Sequence, residues 1–265
     1  MPTEIRAGQS IELLKELHIL TADGKMNQDS RRKLKQVYHL YNFIEPFLKD
    51  SASLVDHGAG KSYLGFIIYD LFYKNSGDGH IYGVETRQDL IEKSRALQKK
   101  LGFDRMSFLN LSVSESRTAD SIPETVDTVT ALHACDTATD DAIRFALEKK
   151  ARNIVLVPCC QAEVASVLRQ NKKYSLANPL VELYRHPIQT REFGSHLTNV
   201  LRCLQLESFG YDVTVTELVG FEHSMKNELI IATRKNKPGK NAKERLDALL
   251  TEFKIKELSE RFFTA

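Results

Sequence analysis

The chain has 265 residues, is 42% hydrophobic and 27% charged, and carries 37 Lys and Arg against 35 Asp and Glu, a net charge of +2. This length suits one α/β domain with appendages, and the near balance of charge excludes a generally basic surface, so nucleic-acid contacts must come from local clusters. No apolar run approaches the roughly 18 residues of a membrane span and the N-terminus lacks a signal-peptide core, so a soluble, cytoplasmic chain without a membrane partner is expected. The four cysteines, Cys135, Cys159, Cys160 and Cys203, lack Cys-x-x-Cys spacing. They read as reduced thiols, with neither a disulfide framework nor a metal site indicated.

Residues 1–50 read as a helical lid outside any sheet. A helical run spans about 10–20, a turn falls at Ala22-Asp23-Gly24-Lys25, and a longer helix runs from about 29 to 48 with Leu34, Val37, Tyr38, Tyr41 and Ile44 on its apolar face. Arg31, Arg32, Lys33 and Lys35 form a basic face followed by Tyr38, Tyr41 and Phe43. One reading is a solvated helix turn over core aromatics. The other is a phosphate-contacting face, with Arg32 and Lys35 as substrate-binding candidates.

Next, Leu54-Val55-Asp56-His57-Gly58-Ala59-Gly60-Lys61-Ser62-Tyr63 takes an apolar strand into an acid, a glycine turn and a helix of about 63–74. Gly58 and Gly60 permit positive φ and close backbone approach, and the helix start presents unpaired N–H groups. A phosphate-binding P-loop is disfavoured because its first glycine falls on Val55, although Gly60-Lys61-Ser62 supplies the tail. A dinucleotide fingerprint is disfavoured because Tyr63 stands where the third glycine belongs. What remains is Asp-x-Gly-x-Gly.

Downstream, 80–85 reads as a short buried strand ending in Glu85, and 106–111 alternates into Asn110. Residues 126–136 run into an apolar strand that releases His133, Cys135 and Asp136 at its carboxyl end. Asp136-Thr137-Ala138-Thr139-Asp140 has helix-capping chemistry, so capping stands as the alternative to a chemical role for Asp136. After a fifth strand, Pro158-Cys159-Cys160-Gln161 takes the chain out of the sheet. Residues 178–187 interrupt helical propensity before a helix at about 190–208. A strand over 211–218 and a hairpin partner over 228–233 follow, then a polar hinge near 234–240 and an amphipathic helix at about 242–253.

The Asp56-x-Gly58-x-Gly60 turn resembles motif I of class I S-adenosylmethionine methyltransferases. Three further stretches sharpen the likeness: Gly58-Ala59-Gly60-Lys61-Ser62-Tyr63-Leu64, Leu132-His133-Ala134-Cys135-Asp136-Thr137-Ala138-Thr139-Asp140, and Val157-Pro158-Cys159-Cys160-Gln161. Together with Glu222 to Ala232 they are similar to a group related to the methyltransferase domain of the glutathione S-transferase C-terminal-domain-containing protein, over about residues 33 to 234. The resemblance implies an α/β fold with a Rossmann-like seven-stranded class I methyltransferase sheet, helices on both faces and an N-terminal helical extension. Residues 51–235 would form the core, and 236–265 a C-terminal hinge and helix. It implies S-adenosylmethionine as cofactor. Asp56, Gly58, Ala59 and Gly60 would lie at the methionine moiety, Glu85 at the ribose hydroxyls, Asn110 beside the adenine and His133 near the methyl group. A surface Glu at a helix start, a turn Asn and a buried core His are the plainer readings of the last three.

Methyl transfer from a sulfonium asks chiefly for alignment of nucleophile, methyl carbon and sulfur. The candidates for catalysis are therefore His133 and Asp136, as orienting or proton-accepting groups, and Gln161, which both donates and accepts. Cys135 and Cys159 sit where RNA cytosine-5 methyltransferases place cysteines, but the wider motifs differ and no basic partner is evident, so small buried thiols are the default. The Asn/Asp-Pro-Pro-Tyr/Phe signature of base-amino methylation is absent. Lys226, with Asn227, is a candidate for a substrate phosphate or carboxylate, or else a solvated hairpin residue. The expected acceptor is RNA, ribosomal or transfer. A protein side chain is the alternative acceptor, and a non-catalytic S-adenosylmethionine-binding interaction module is the alternative class.

Overall fold

In a computed structural model, residues 4–132, 134–158, 161–172, 178–218 and 228–264 are described. Seven strands form one sheet: β1 (Ser53–His57), β2 (His80–Glu85), β3 (Met106–Asn110), β4 (Thr128–Ala131), β5 (Asn153–Leu156), β6 (Tyr211–Glu217) and β7 (Glu228–Arg234). Their order is β3-β2-β1-β4-β5-β7-β6. The first five are mutually parallel, and β7 runs antiparallel to both β5 and β6. The chain moves outward from β1 to β3 and then returns to lay β4 beside β1, so a crevice opens between the carboxyl ends of these two strands.

Helices α1 (Ile11–Glu16) and α2 (Gln28–Leu48) precede the sheet, and α3 (Tyr63–Ile68) leaves the glycine turn. A π-helical segment (Tyr69–Tyr73) and the short α4 (Lys74–Ser76) continue it. Then α5 (Gln88–Leu101), α6 (Val113–Ser116), α7 (Thr137–Glu148), α8 (Glu163–Asn171) and α9 (Pro187–Ser208) alternate with strands, and α10 (Ala242–Glu252) and α11 (Ser259–Phe263) close the described chain. Alternation along β1 sorts side chains to two layers: Leu54 joins α1, α2 and α3, whereas Val55 joins α7 and the buried end of α9. A third apolar cluster packs α8, α9, α10 and α11 together.

Several boundaries differ from the sequence reading for local reasons. Helix α1 ends at Glu16, because Leu17 caps it and His18 turns to φ 55°. The helix expected over 63–74 is wound as a π-helix from residue 69, carrying the fully buried Asp70. One Asp70 carboxylate oxygen accepts from the Ser10 backbone N–H at 2.6 Å and from the Gln9 amide, so a tertiary ion-dipole contact anchors the start of α1. Residues 179–184 form a 3₁₀ turn, and α9 begins at Pro187, where a missing N–H costs nothing in the first helical turn.

Gly194 on α9 lies against Ala165 of α8 so closely that an added Cβ would fall 2.7 Å from the Ala165 Cα and 2.8 Å from its nitrogen. Backbone cannot yield as a flexible side chain can. Gly194→Val is therefore expected to destabilise the protein by about 1–3 kcal/mol, read as a lower urea midpoint with an unchanged slope.

Candidate functional site

The turn after β1 is built from three left-handed residues: Gly58 at φ 63°, Gly60 at φ 57° and Ser62 at φ 53°. The glycines tolerate this without strain, whereas Ser62 is held there by its neighbours. The Ala59 N–H donates to the Val84 carbonyl at 3.1 Å and the Ser62 N–H to the Ala59 carbonyl at 2.7 Å, tying the turn to β2 and closing it on itself. The Gly60 N–H donates to Glu85 Oε2 at 2.9 Å, while Glu85 Oε1 accepts from the Arg87 N–H at 3.0 Å. The Asn110 amide donates to the Glu85 and Thr86 carbonyls at 3.1 and 2.8 Å. The ends of β1, β2 and β3 thus form one hydrogen-bonded shelf that brings Gly58, Ala59, Gly60, Glu85 and Asn110 together.

Asp56 stands beneath this shelf, 3% exposed. Thr130, its register partner on β4, donates to Asp56 Oδ1 at 2.8 Å. Burial pushes the carboxyl up to about 7, with the charge of Glu85 adding to the rise against the Thr130 bond. A cavity of about 380 Å³ opens over it, lined by Asp56, Gly58, Ala59, Gly60 and Leu132 on the sheet side. Arg32, Lys33, Lys35 and Gln36 of α2 line the facing wall. This size suits a small organic ligand. A buried acid whose charge is disfavoured by desolvation suits the ammonium or sulfonium end of one, because a nearby cation restores the charged form.

The residues that follow β4 and β5 are held by a different construction. Arg202 of α9 is fully buried and grips Asp140 through Nε and Nη2, both at 2.7 Å. Its Nη2 also donates to the Asp136 carbonyl at 2.9 Å, and its Nη1 to Asn199 Oδ1 at 3.2 Å. Asp136 sits at φ 50°, a left-handed position unusual for a non-glycine. It starts α7 without a side-chain cap there; its Oδ1 instead accepts from the Ala162 and Glu163 N–H groups at 2.9 and 3.4 Å, at the start of α8. The Asp136 carboxylate does cap a helix, but one that follows the next strand. Gln161 is buried, its Oε1 accepting from Ser195 at 2.6 Å and its Nε2 donating to Asn199 at 3.2 Å. The loops after β4 and β5 are thereby stitched to α9.

Of the residues read from sequence, Asp56, Gly58, Ala59, Gly60, Arg32 and Lys35 line one cavity, with Glu85 and Asn110 on its shelf. Asp136 and Gln161 belong to the Arg202 network. His133, Lys226 and Asn227 lie outside the described residues, as do Cys159 and Cys160. Cys135 is exposed rather than buried, and the partly buried Cys203 thiol is pushed up to about 12, chiefly by burial. Sequence reasoning missed Thr130, Arg202 and Asn199. Thr130 was in principle findable from strand alternation; for Arg202 the only signal is a polar series, Thr198, Arg202 and Gln205, at helical spacing among leucines. Among the described residues no group of three or more His, Cys, Asp or Glu is arranged to hold a metal ion, and no helix is long and apolar enough to cross a membrane.

A parallel sheet in this order, with a reversed seventh strand and a glycine turn opening on its switch point, has the class I methyltransferase architecture. The chain belongs to the methyltransferase domain family, whose sequence model matches residues 32–167, just over half of its length. The curated glutathione S-transferase C-terminal domain-containing protein of Bos taurus is 22% identical over 228 residues, 79% of this chain and 34% of that protein. The chain thus spans about a third of that relative's length. Among solved structures, an SAH-bound methyltransferase from Podospora anserina superposes with a TM-score of 0.49 at 13% identity, covering 87% of this chain and 89% of that one. The magnesium protoporphyrin IX methyltransferase of Synechocystis PCC 6803 with bound SAH gives 0.48 at 13% identity, covering 84% and 94%.

Two outcomes follow from the buried charges. Between about pH 4, where a free Asp ionises, and about 7, folded Asp56 retains a proton that the unfolded chain has lost, so its contribution makes stability fall as pH rises across that window. Asp56→Asn, which cannot ionise, should flatten this part of the profile in urea titrations at several pH values. Asp140→Asn, which leaves the buried Arg202 charge uncompensated, should cost about 3–5 kcal/mol in the same assay.

Proposed function

We propose that this chain transfers a methyl group from S-adenosylmethionine to a macromolecular acceptor, and that the acceptor is RNA. The observation that carries the donor assignment is the shelf itself, with Glu85 gripping the Gly60 N–H above the buried Asp56. When bound, S-adenosylmethionine supplies an electrophilic methyl carbon, which the acceptor takes as the carbon–sulfur bond breaks and its electron pair stays on sulfur.

On this reading each residue has a positional task. Gly58, Ala59 and Gly60 give the methionine end close access to backbone, and Asp56 faces its positive charge. Glu85 would accept from the ribose hydroxyls with the lone pairs that Gly60, Thr86 and Arg87 leave, and Asn110 would flank the adenine. The loops after β4 and β5, carrying His133, Asp136 and Gln161, border the methyl group. His133 would take the acceptor's proton or orient the acceptor, while Asp136 and Gln161 fix that border through their bonds to α8 and α9. Arg32 and Lys35 support an RNA acceptor because they bring α2 cations to the wall opposite the turn. Lys226 and Asn227 are further acceptor contacts by their place before β7.

Calorimetry with S-adenosylhomocysteine tests the donor. Glu85→Ala should weaken binding by about tenfold or more, the loss expected for removing a charged hydrogen-bond acceptor; equal affinity in both proteins would overturn the assignment. Transfer of label from methyl-tritiated donor into lysate fractions sensitive to RNase identifies RNA as acceptor. Label in protease-sensitive material identifies protein, and no label in either, despite donor binding, identifies a binding module.

A further inference from the structure

The cationic residues around the cavity are out of proportion to the chain. Net charge over all 265 residues is +2, yet Arg32, Lys33, Lys35 and Lys61 line this cavity against one acid, the buried Asp56. Three of the four come from α2 and the fourth from the glycine turn, so the positive charge faces the opening from both sides. A second, larger cavity of about 1050 Å³ continues along α2 and shares Arg32 and Lys35 with the first. It adds Arg31 and His39. Arg31, Lys35 and His39 follow one another at four-residue spacing, which places a donor about every 6 Å along one helix face.

Flat rings accompany these donors. Tyr63 lines the first cavity, with Lys33 Nζ 4.6 Å from its ring centroid, and His39 stacks on Phe43 at 5.3 Å. Two salt bridges on this face are exposed: Arg31 to Glu4 at 2.7 Å and Arg32 to Asp29 at 3.6 Å. Such pairs contribute little and exchange readily for another anion. Cations in a line beside ring faces are the elements that hold single-stranded nucleic acid, phosphates on the charges and bases on the rings. An acidic peptide would use the cations and leave the rings without a role.

Building on the donor assignment above, we propose that a single-stranded RNA acceptor lies along α2 through both cavities, with Lys33 and Lys61 as phosphate contacts where the strand reaches the donor. Lys61 then joins the two halves of the site, since it belongs to the donor turn and faces the acceptor.

The test uses the full chain and an oligouridylate of about 20 nucleotides, long enough to span a groove of this kind, with fluorescence anisotropy followed over a salt series. Both lysines are exposed, so Lys33→Gln/Lys61→Gln should fold as the parent does, checked by its thermal melt. The double variant should bind about tenfold more weakly near 50 mM salt, and its log–log salt slope should shrink by about 1.4, the share of two phosphates on a single strand. Unchanged oligouridylate affinity and slope would overturn the proposal, as would tighter binding of polyglutamate than of oligouridylate by the parent protein. A loss of S-adenosylhomocysteine affinity with oligouridylate binding intact would also overturn it, assigning the lysines to the donor's carboxylate. Because oligouridylate binding is read without donor, a parent protein that binds oligouridylate but not S-adenosylhomocysteine sinks the donor assignment and leaves the groove standing.

Discussion

The hydrogen bond from the Gly60 N–H to the Glu85 carboxylate joins the ends of two parallel strands that have no short connection between them. Parallel neighbours can be aligned only through a crossover, here α3 and the π-helical segment after it. Their carboxyl ends are therefore fixed by tertiary contacts rather than by a hairpin. With the Ala59 bond to Val84, this contact sets the height of the glycine turn above β2 and so the depth of the cavity over Asp56. The left-handed φ values of Gly58, Gly60 and Ser62 are the local consequence.

On one side of that shelf, the N-terminal helices pack into the same apolar layer as α3. A polar contact fixes where they start: Asp70, buried in the π-helical segment, accepts from the backbone at Ser10. One wall of the cavity therefore comes from residues far in sequence from the turn it faces. The proposed lid role of residues 1–50 rests on this, since α2 supplies the wall across from Gly58 and Gly60.

On the other side, the loops after β4 and β5 leave strands that end early, β4 at Ala131 and β5 at Leu156. Arg202 holds the first of these loops by its carbonyl, and the carboxylate of Asp136 holds the start of α8 after the second. A fully buried guanidinium is expensive to desolvate and is compensated here by two carboxylate oxygens, a carbonyl and an amide. Such a network contributes less to net stability than to uniqueness of arrangement. Here it fixes which way the β4 loop leaves the sheet.

The positions of strands along the chain and the glycine turn after β1 could be read from the chain alone, because each depends on short-range pattern. Alternation marked β3 and β6, a short buried run marked β2 and the hairpin reading marked β7, each nearly to the residue, and Asp56, Gly58 and Gly60 announced the turn through spacing that suits a tight, left-handed bend. Capping chemistry at Asp136 was also legible, but not its target, since a side chain reaching the helix after the next strand leaves no trace in local spacing. The π-helical winding at Tyr69, the burial of Arg202 and the meeting of α2 with the glycine turn were decided by packing. Asp70 meets Ser10, Arg202 meets Asp140 and Lys33 of α2 meets the Tyr63 ring, partners far apart along the chain, a relation that no short window of sequence contains.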